Sequence, residues 1–139
     1  MKKAAVRMAN ICKRFDGKVA LDQAQMELCQ GEVLGLVGDN GAGKSTLLKI
    51  LSGVLVRDAG DIFVEGRKVS IESPSQSRNL GIEMVYQDLS LCGTLNVWEN
   101  IFLGRYLTHP FLNIFFPILD RRKMGREATR LLAELGIDL

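Results

Sequence analysis

The stretch LVGDNGAGKSTLLKILSG, from Leu36 to Gly53, decides the fold. Residues Gly38 to Ser45 fill every fixed position of the pattern Gly-x-x-x-x-Gly-Lys-Ser/Thr. The apolar run Val33 to Val37 precedes the glycines, and its composition is that of a strand buried on both faces. Residues Ser45 to Leu51 have the apolar spacing of a helix, which Gly53 ends. The sequence therefore predicts a strand, a glycine-rich loop and a helix in succession.

The residue types in this loop suit a phosphate-binding site. Glycine lets backbone N–H groups approach phosphate oxygens closely, because it has no Cβ. Lys44 brings a positive charge to the β- and γ-phosphates, and the Ser45 hydroxyl can complete the shell of Mg²⁺. The helix that begins here directs the positive end of its dipole at the anion. The loop thus predicts a nucleotide site, and the lack of an Asn-Lys-x-Asp base-reading motif favours ATP.

Composition limits the class of protein. The chain has 139 residues, of which 47% are hydrophobic and 24% charged, as in an ordinary globular domain. Its net charge of +2 is too balanced for a nucleic-acid binder, so no nucleic-acid partner is expected. Charged residues interrupt the N-terminal segment, which excludes a signal peptide, and the apolar run Phe111 to Leu119 is too short to cross a bilayer. We therefore expect a cytosolic chain.

Turn and capping residues divide the remaining sequence into further elements. Extended segments are predicted at Ala4–Ile11, Val19–Cys29, Asp61–Val64, Arg67–Ile71 and Ile82–Tyr86. Helices are predicted after three N-caps, and glycines end them; the caps are Ser73, Asn96 and Asp120, and the glycines are Gly81, Gly104 and Gly136. The order is a β-rich part, then a strand, loop and helix, then a mostly helical part.

Several segments resemble the ATP-binding subunits of ABC transporters, and they follow one another in that family's order. They are CKRFDGKVALD (Cys12 to Asp22), NGAGKST (Asn40 to Thr46), DAGDIFVEGRKV (Asp58 to Val69) and MVYQD (Met84 to Asp88). The resemblance implies an α/β fold of the P-loop NTPase, ABC ATPase type with an incomplete sheet. Residues 1–139 would form part of a nucleotide-binding domain. Its β-rich, P-loop and Q-loop part would be 1–105, and its helical subdomain would begin in 106–139.

The resemblance also implies roles for individual residues, with ATP and Mg²⁺ as cofactors. Phe15 stands where tyrosine is common in the family and would stack on adenine. Gln87 would be the Q-loop glutamine, whose amide oxygen can reach Mg²⁺ or the attacking water. Lys44 and Gln87 are the implied catalytic residues, and Ser45 and Gln87 the implied metal ligands. The implied nucleotide-binding residues are Phe15, Gly38, Asn40, Gly41, Ala42, Gly43, Lys44, Ser45 and Thr46.

Two longer segments are similar to the ATPases of bacterial simple-sugar importers of the ribose, xylose or fructose type. They are Ser73 to Leu91 and Leu95 to Arg105. This similarity implies an energy-coupling subunit that hydrolyses ATP to drive transport. Its partners would be a membrane permease, a second ABC ATPase subunit or domain in a dimer and, indirectly, a periplasmic sugar-binding protein. The subunit would be cytoplasmic and peripheral on the inner face of the bacterial plasma membrane.

Three motifs of the family are missing from the sequence: an LSGGQ-type signature, a Walker B run ending in Asp-Glu, and a switch histidine. LSG at Leu51 to Gly53 ends the P-loop helix and no Gly-Gln follows it. FFPILD is rejected as Walker B, because Pro117 disfavours a central strand and Arg121 occupies the glutamate position. We therefore expect the N-terminal portion of such a domain, which binds ATP but hydrolyses it negligibly.

Other interpretations remain. The chain could be a non-catalytic nucleotide-binding remnant of a truncated gene. A soluble P-loop kinase or GTPase is a third hypothesis, and the ordered series of Phe15, the P-loop and Gln87 argues against it. The apolar run Phe111 to Leu119 either packs within the helical subdomain or docks on the permease.

Overall fold

The computed structural model describes residues 3–85, 91–109 and 118–137. The chain divides into two units, Met1–Val85 and Tyr86–Leu139, which are described separately. The described part is a partial α/β domain with an open antiparallel sheet. The predicted division after Arg105 stays a prediction.

The first unit is built on a four-stranded antiparallel sheet of order β2-β1-β3-β4. The strands are β1 (Ala4–Phe15), β2 (Lys18–Cys29), β3 (Ala59–Val64) and β4 (Arg67–Val69). Two-residue turns, Asp16-Gly17 and Glu65-Gly66, join the consecutive strands, and both residues of each turn have positive φ, as tight hairpins require. The extended segments predicted on either side of these turns are strands in the structure. Strand β1 continues beyond Ile11 because its later residues pair with β2, and β4 ends at Val69, before the predicted Ile71.

A β-bulge at Asn10 determines which residues of β1 are buried. Val6 and Met8 alternate normally, and the next buried residue is Ile11. The register shifts at this point against both neighbouring strands, and Asn10 has a φ of 54°. Gly60 on β3 lies against the bulge, where a Cβ would overlap the Asn10 carbonyl and lie 2.7 Å from the Ala9 oxygen. The extra residue therefore keeps the apolar side chains of β1 in one core although the alternation is broken.

Helix α1 (Lys44–Leu51) begins one residue before the predicted start and contributes to the core with the sheet. Its buried residues Leu47, Ile50 and Leu51 follow helical spacing. The core consists of Val6, Met8, Ile11, Leu21, Met26, Leu47, Ile50, Leu51, Ile62 and Ile71. The helix is thereby held against the sheet by the packing of its own apolar face.

The end of α1 is joined to helix α2 (Pro74–Asn79). Ser73 is the N-cap of α2, as predicted, and accepts a hydrogen bond from the Gln76 amide at 3.4 Å. The buried Ser77 hydroxyl donates to the Leu51 carbonyl oxygen at 3.0 Å. This bond satisfies a carbonyl that the end of α1 leaves without a helical partner.

The strand predicted at Val33–Val37 is not formed. These residues belong to no strand, and Val33 and Val37 are 99% and 92% exposed. A parallel strand buried on both faces needs hydrogen-bonded neighbours on each side, and the strands within the described residues pair only with one another. The extended segment predicted at Ile82–Tyr86 likewise forms no strand from Ile82 to Val85, and Tyr86 lies outside the described residues.

The second unit contains α3 (Val97–Ile101) and α4 (Arg121–Glu134). The predicted capping box is confirmed, because Asn96 Oδ1 accepts from the Glu99 amide at 3.1 Å and Glu99 Oε2 accepts from the Asn96 amide at 3.0 Å. Asp120 caps α4 by accepting from the Lys123 amide at 2.9 Å. Buried Phe102, Met124 and Ala128 form the core of this unit.

Membrane-related predictions are tested only in part. Nowhere in the described ranges is a helix both long enough and apolar enough to span a bilayer. Most of the apolar run Phe111 to Leu119 lies outside the described residues, so its two interpretations stay predictions. Ile118 and Leu119, which are described, are exposed.

Candidate phosphate-binding site

The glycine-rich loop connects the exposed apolar run to α1. Gly38, Gly41 and Gly43 have φ values of 146°, 90° and 86°, which glycine adopts without strain. A Cβ on Gly43, the N-cap of α1, would lie 2.6 Å from both the Ala20 carbonyl oxygen and Leu21 Cδ2. The backbone of the loop therefore packs directly on β2, and this contact sets the position at which the helix begins.

Lys44 folds back toward the beginning of the loop. Its Nζ donates hydrogen bonds to the carbonyl oxygens of Gly38 at 2.6 Å and Asp39 at 2.8 Å. Within the same loop the Ala42 amide donates to the Asp39 oxygen at 3.2 Å. These contacts hold the loop closed on itself and bring the ammonium group beside it.

A cavity of about 240 Å³ lies at the N-terminus of α1. It is lined by Ala20, Asn40, Gly41, Ala42, Gly43, Lys44, Ser45 and Thr46, none of which carries a carboxylate. The first amides of a helix have no helical acceptor, and α1 has no side-chain cap. A cation, free backbone donors and the helix dipole thus meet in one cavity, which suits a phosphate group.

A magnesium ion fits this site only with help from a phosphate. The exposed Ser45 hydroxyl is a hard oxygen ligand of the kind Mg²⁺ accepts. Over the described ranges no group of three or more His, Cys, Asp and Glu residues could hold a metal ion. Phosphate oxygens and water would therefore supply most of the octahedral shell.

Phe15 lies at the end of β1 and is 41% exposed. It does not line the phosphate cavity. Phe15 pairs with Lys18 on β2, and Ala20, two residues further along β2, lines the cavity. The ring and this wall of the cavity therefore belong to the same end of the sheet. The predicted Q-loop residue, Gln87, lies outside the described residues.

Sequence reasoning missed Asp58, which binds the end of β1. Its Oδ1 accepts from Lys13 Nζ at 2.6 Å, and its Oδ2 accepts from the Arg14 amide at 2.7 Å. These two bonds, that from Lys13 first, hold the pKa of the Asp58 carboxyl below its ordinary value. No local pattern links residues so distant in sequence, because the contact depends on the register between β1 and β3.

Comparison with known proteins identifies the family of the chain. A family model described as ABC transporter matches residues 21–139. The chain is 45% identical over 134 residues to the ribose import ATP-binding protein RbsA of Clostridium tetani, covering 96% of this chain and 26% of that protein. It is 46% identical over 132 residues to the xylose/arabinose import ATP-binding protein XylG of Sulfolobus acidocaldarius, covering 95% and 50%.

A solved structure shows the same fold. A nucleotide-free ATP-binding cassette from an ABC transporter matches with a TM-score of 0.77 and 27% identity, covering 96% of this chain and 55% of that one. Fold and loop together define an α/β domain of the P-loop type. The chain belongs to the ABC transporter family, as an ATP-binding domain. It spans from about a quarter to a half of the length of these two curated relatives.

Proposed function

We propose that this chain is part of the ATP-binding, energy-coupling subunit of an ABC importer for a simple sugar. The observation that carries the proposal is the cavity at the start of α1, where Lys44 and the glycine-rich loop meet. The names of the two relatives, a ribose and a xylose/arabinose import protein, support the class of cargo. The permease and the binding protein would select the particular sugar.

Each residue of the site has a proposed task. The amides of the Gly38–Thr46 loop bind phosphate oxygens, and Lys44 exchanges its two carbonyl partners for the β- and γ-phosphates. Ser45 holds Mg²⁺, which neutralises phosphate charge when it is bound. Phe15 stacks on the adenine ring, and Gln87 orients the attacking water. The roles of Lys44, Ser45 and the loop amides rest on the motif and on the geometry of the loop, and those of Phe15 and Gln87 rest on the resemblance to the family.

The proposed assembly places this chain on the cytoplasmic face of the bacterial plasma membrane. Its direct partners are a membrane permease and a second ABC ATPase subunit or domain, and a periplasmic sugar-binding protein acts indirectly. The family and the import names of the relatives support this arrangement.

We expect the 139-residue polypeptide by itself to bind MgATP without appreciable hydrolysis. Phosphoryl transfer to water needs a carboxylate that activates the water, besides a residue that orients it, and further donors that stabilise the transferring phosphoryl. The sequence contains neither an LSGGQ signature nor a Walker B Asp-Glu pair to supply them. Binding requires only the loop, Lys44 and Ser45, which are present.

Titration calorimetry with MgATP, together with a phosphate-release assay, tests this prediction. Saturable binding is expected, with phosphate released no faster than in buffer. Free adenosine is the control and should bind much more weakly, because it lacks the groups that the loop recognises. Absence of saturable MgATP binding would contradict the proposed function. Steady phosphate release by the purified chain would contradict only the expected inactivity.

The remnant hypothesis makes the same binding prediction, so a binding measurement cannot distinguish it from the transporter ATPase. The coding sequence after Leu139 distinguishes the two hypotheses. An in-frame signature motif and a Walker B Asp-Glu pair would support the transporter ATPase, whereas a stop codon directly after Leu139 would favour the remnant.

A further inference from the structure

Asp58 continues the attachment of β1 to β3 beyond the point where their ladder ends. The last register pair of the two strands is Cys12 with Ala59. Asp58 immediately precedes Ala59, and its backbone amide donates to the Cys12 carbonyl oxygen at 2.9 Å. Its two carboxylate oxygens accept from Lys13 Nζ and from the Arg14 amide. One residue therefore holds three consecutive residues of β1, immediately before Phe15.

Lys13 carries this attachment to the aromatic ring. Its Nζ lies over the Phe15 ring, 5.6 Å from the centroid, while bonded to Asp58. The register of β1 against β2 shifts between Lys13 and Arg14, and the two side chains meet at this irregular end of the strand. The Lys13 side chain is only 17% exposed, whereas the Phe15 residue is 41% exposed. The ammonium group thus covers part of the ring and leaves much of it accessible.

We propose that the Asp58–Lys13 ion pair positions the Phe15 ring for stacking on the base of the bound nucleotide. Asp58 holds the ammonium group, and the ammonium group fixes the ring through a cation–π contact on one face. The ring then loses little side-chain freedom when a base stacks on its other face. Both residues act through Phe15 and touch no nucleotide. The inference rests on the proposed function, because it takes Phe15 as the base-binding residue.

The test separates the base from the phosphates by comparing two ligands, MgATP and magnesium tripolyphosphate. In Lys13→Met and Asp58→Asn we expect the dissociation constant of MgATP to rise about 3- to 10-fold. The value for tripolyphosphate should stay within about twofold, because the phosphate loop is unchanged. Equal weakening of both ligands would indicate general loosening of the unit and would overturn the inference.

The same sheet offers a matched control pair. Lys68 Nζ lies 2.7 Å from Asp61 Oδ1, with side chains 63% and 43% exposed. Lys68→Met and Asp61→Asn remove the same charges from the sheet and should leave the affinity for both ligands unchanged. Lys13→Arg retains a cation and a hydrogen-bond donor, and it should restore most of the affinity for MgATP.

A double-mutant cycle tests whether Lys13 affects nucleotide binding through the Phe15 ring. Phe15→Ala should weaken MgATP binding, and Lys13→Met added to it should have no further effect.

The outcomes of these experiments distinguish the inference from the proposed function. If Phe15→Ala weakens binding while Lys13→Met and Asp58→Asn do not, the inference fails and the proposed function stands. If Phe15→Ala changes nothing, the base-stacking role and the inference fail together, but tripolyphosphate binding still reports on the loop. If the wild type binds neither ligand, the proposed function itself is wrong. Should Asp58→Asn not fold, Lys13→Met alone decides the outcome.

Discussion

Gly53→Ala is expected to destabilise the chain strongly, and far more than the same replacement at a glycine with open space around it. Gly53 ends α1 with a φ of 74°, and a Cβ there would overlap the Ser73 carbonyl group and lie 3.0 Å from the Pro74 nitrogen. These are backbone atoms at the beginning of α2, so a rotamer change cannot relieve the overlap. We expect the free energy of unfolding to fall by about 3 kcal/mol or more, from backbone strain and overpacking together. Urea denaturation followed by circular dichroism measures the loss.

Gly31→Ala provides the matched control for this prediction. Gly31 has a similar φ of 70°, but nothing lies within 4 Å of a Cβ built on it. This variant incurs only the cost of a left-handed alanine, about 1 kcal/mol. The difference between the two losses in unfolding free energy isolates the contact between the end of α1 and the beginning of α2. Equal losses in both would mean that the contact does not constrain the fold.

Lys44→Ala should produce the largest loss of nucleotide affinity. The ammonium group is the only charged side chain among the residues that line the described phosphate cavity. Hydrogen bonds to charged groups contribute about 1.5–3 kcal/mol, so the dissociation constant of MgATP should rise by roughly 10- to 150-fold. Isothermal titration against wild type gives the ratio directly.

Lys49→Ala separates the specific contact from a general change in charge. Lys49 lies in the last turn of the same helix and does not line the cavity. Its loss removes an equal charge and should change MgATP affinity by no more than about twofold at physiological salt. Unchanged affinity in Lys44→Ala would overturn the assignment of the phosphate loop. Loss of the bonds from Lys44 to Gly38 and Asp39 should also lower stability slightly.

Elements specified by local chemistry could be predicted from the sequence. Both hairpins follow from their turns, and the N-caps Ser73, Asn96 and Asp120 each accept a hydrogen bond from the first turn of their helix. The residues of the phosphate loop were predicted from a motif whose positions are adjacent in sequence, and the structure gathers Asn40 to Thr46 around one cavity. In these cases each residue constrains only its near neighbours, so the hairpins and caps agree with the sequence pattern, and the binding roles of the loop residues stay predictions.

Features that depend on pairing between distant segments could not be predicted. The apolar composition of Val33–Val37 indicates a buried strand, but a strand needs partners, and composition does not show whether they are present. The bulge at Asn10 and the three bonds of Asp58 both arise from the register of β1 against β3. The role of Gln87 stays a prediction, because that residue lies outside the described ranges.

The phosphate loop is supported unequally on its two sides. After Gly43 the chain enters a helix whose apolar residues are buried, whereas in the described structure no backbone amide from Val33 to Asn40 donates to another backbone group. Amide hydrogens of Leu47 to Leu51 should therefore exchange with deuterium slowly, and those of Val33 to Asn40 almost at once. We expect the loop to bind an anion through its helical side and to order its other side during binding. Part of the binding free energy is then spent on that ordering, and slower exchange at Val33 to Asn40 on adding nucleotide would reveal it.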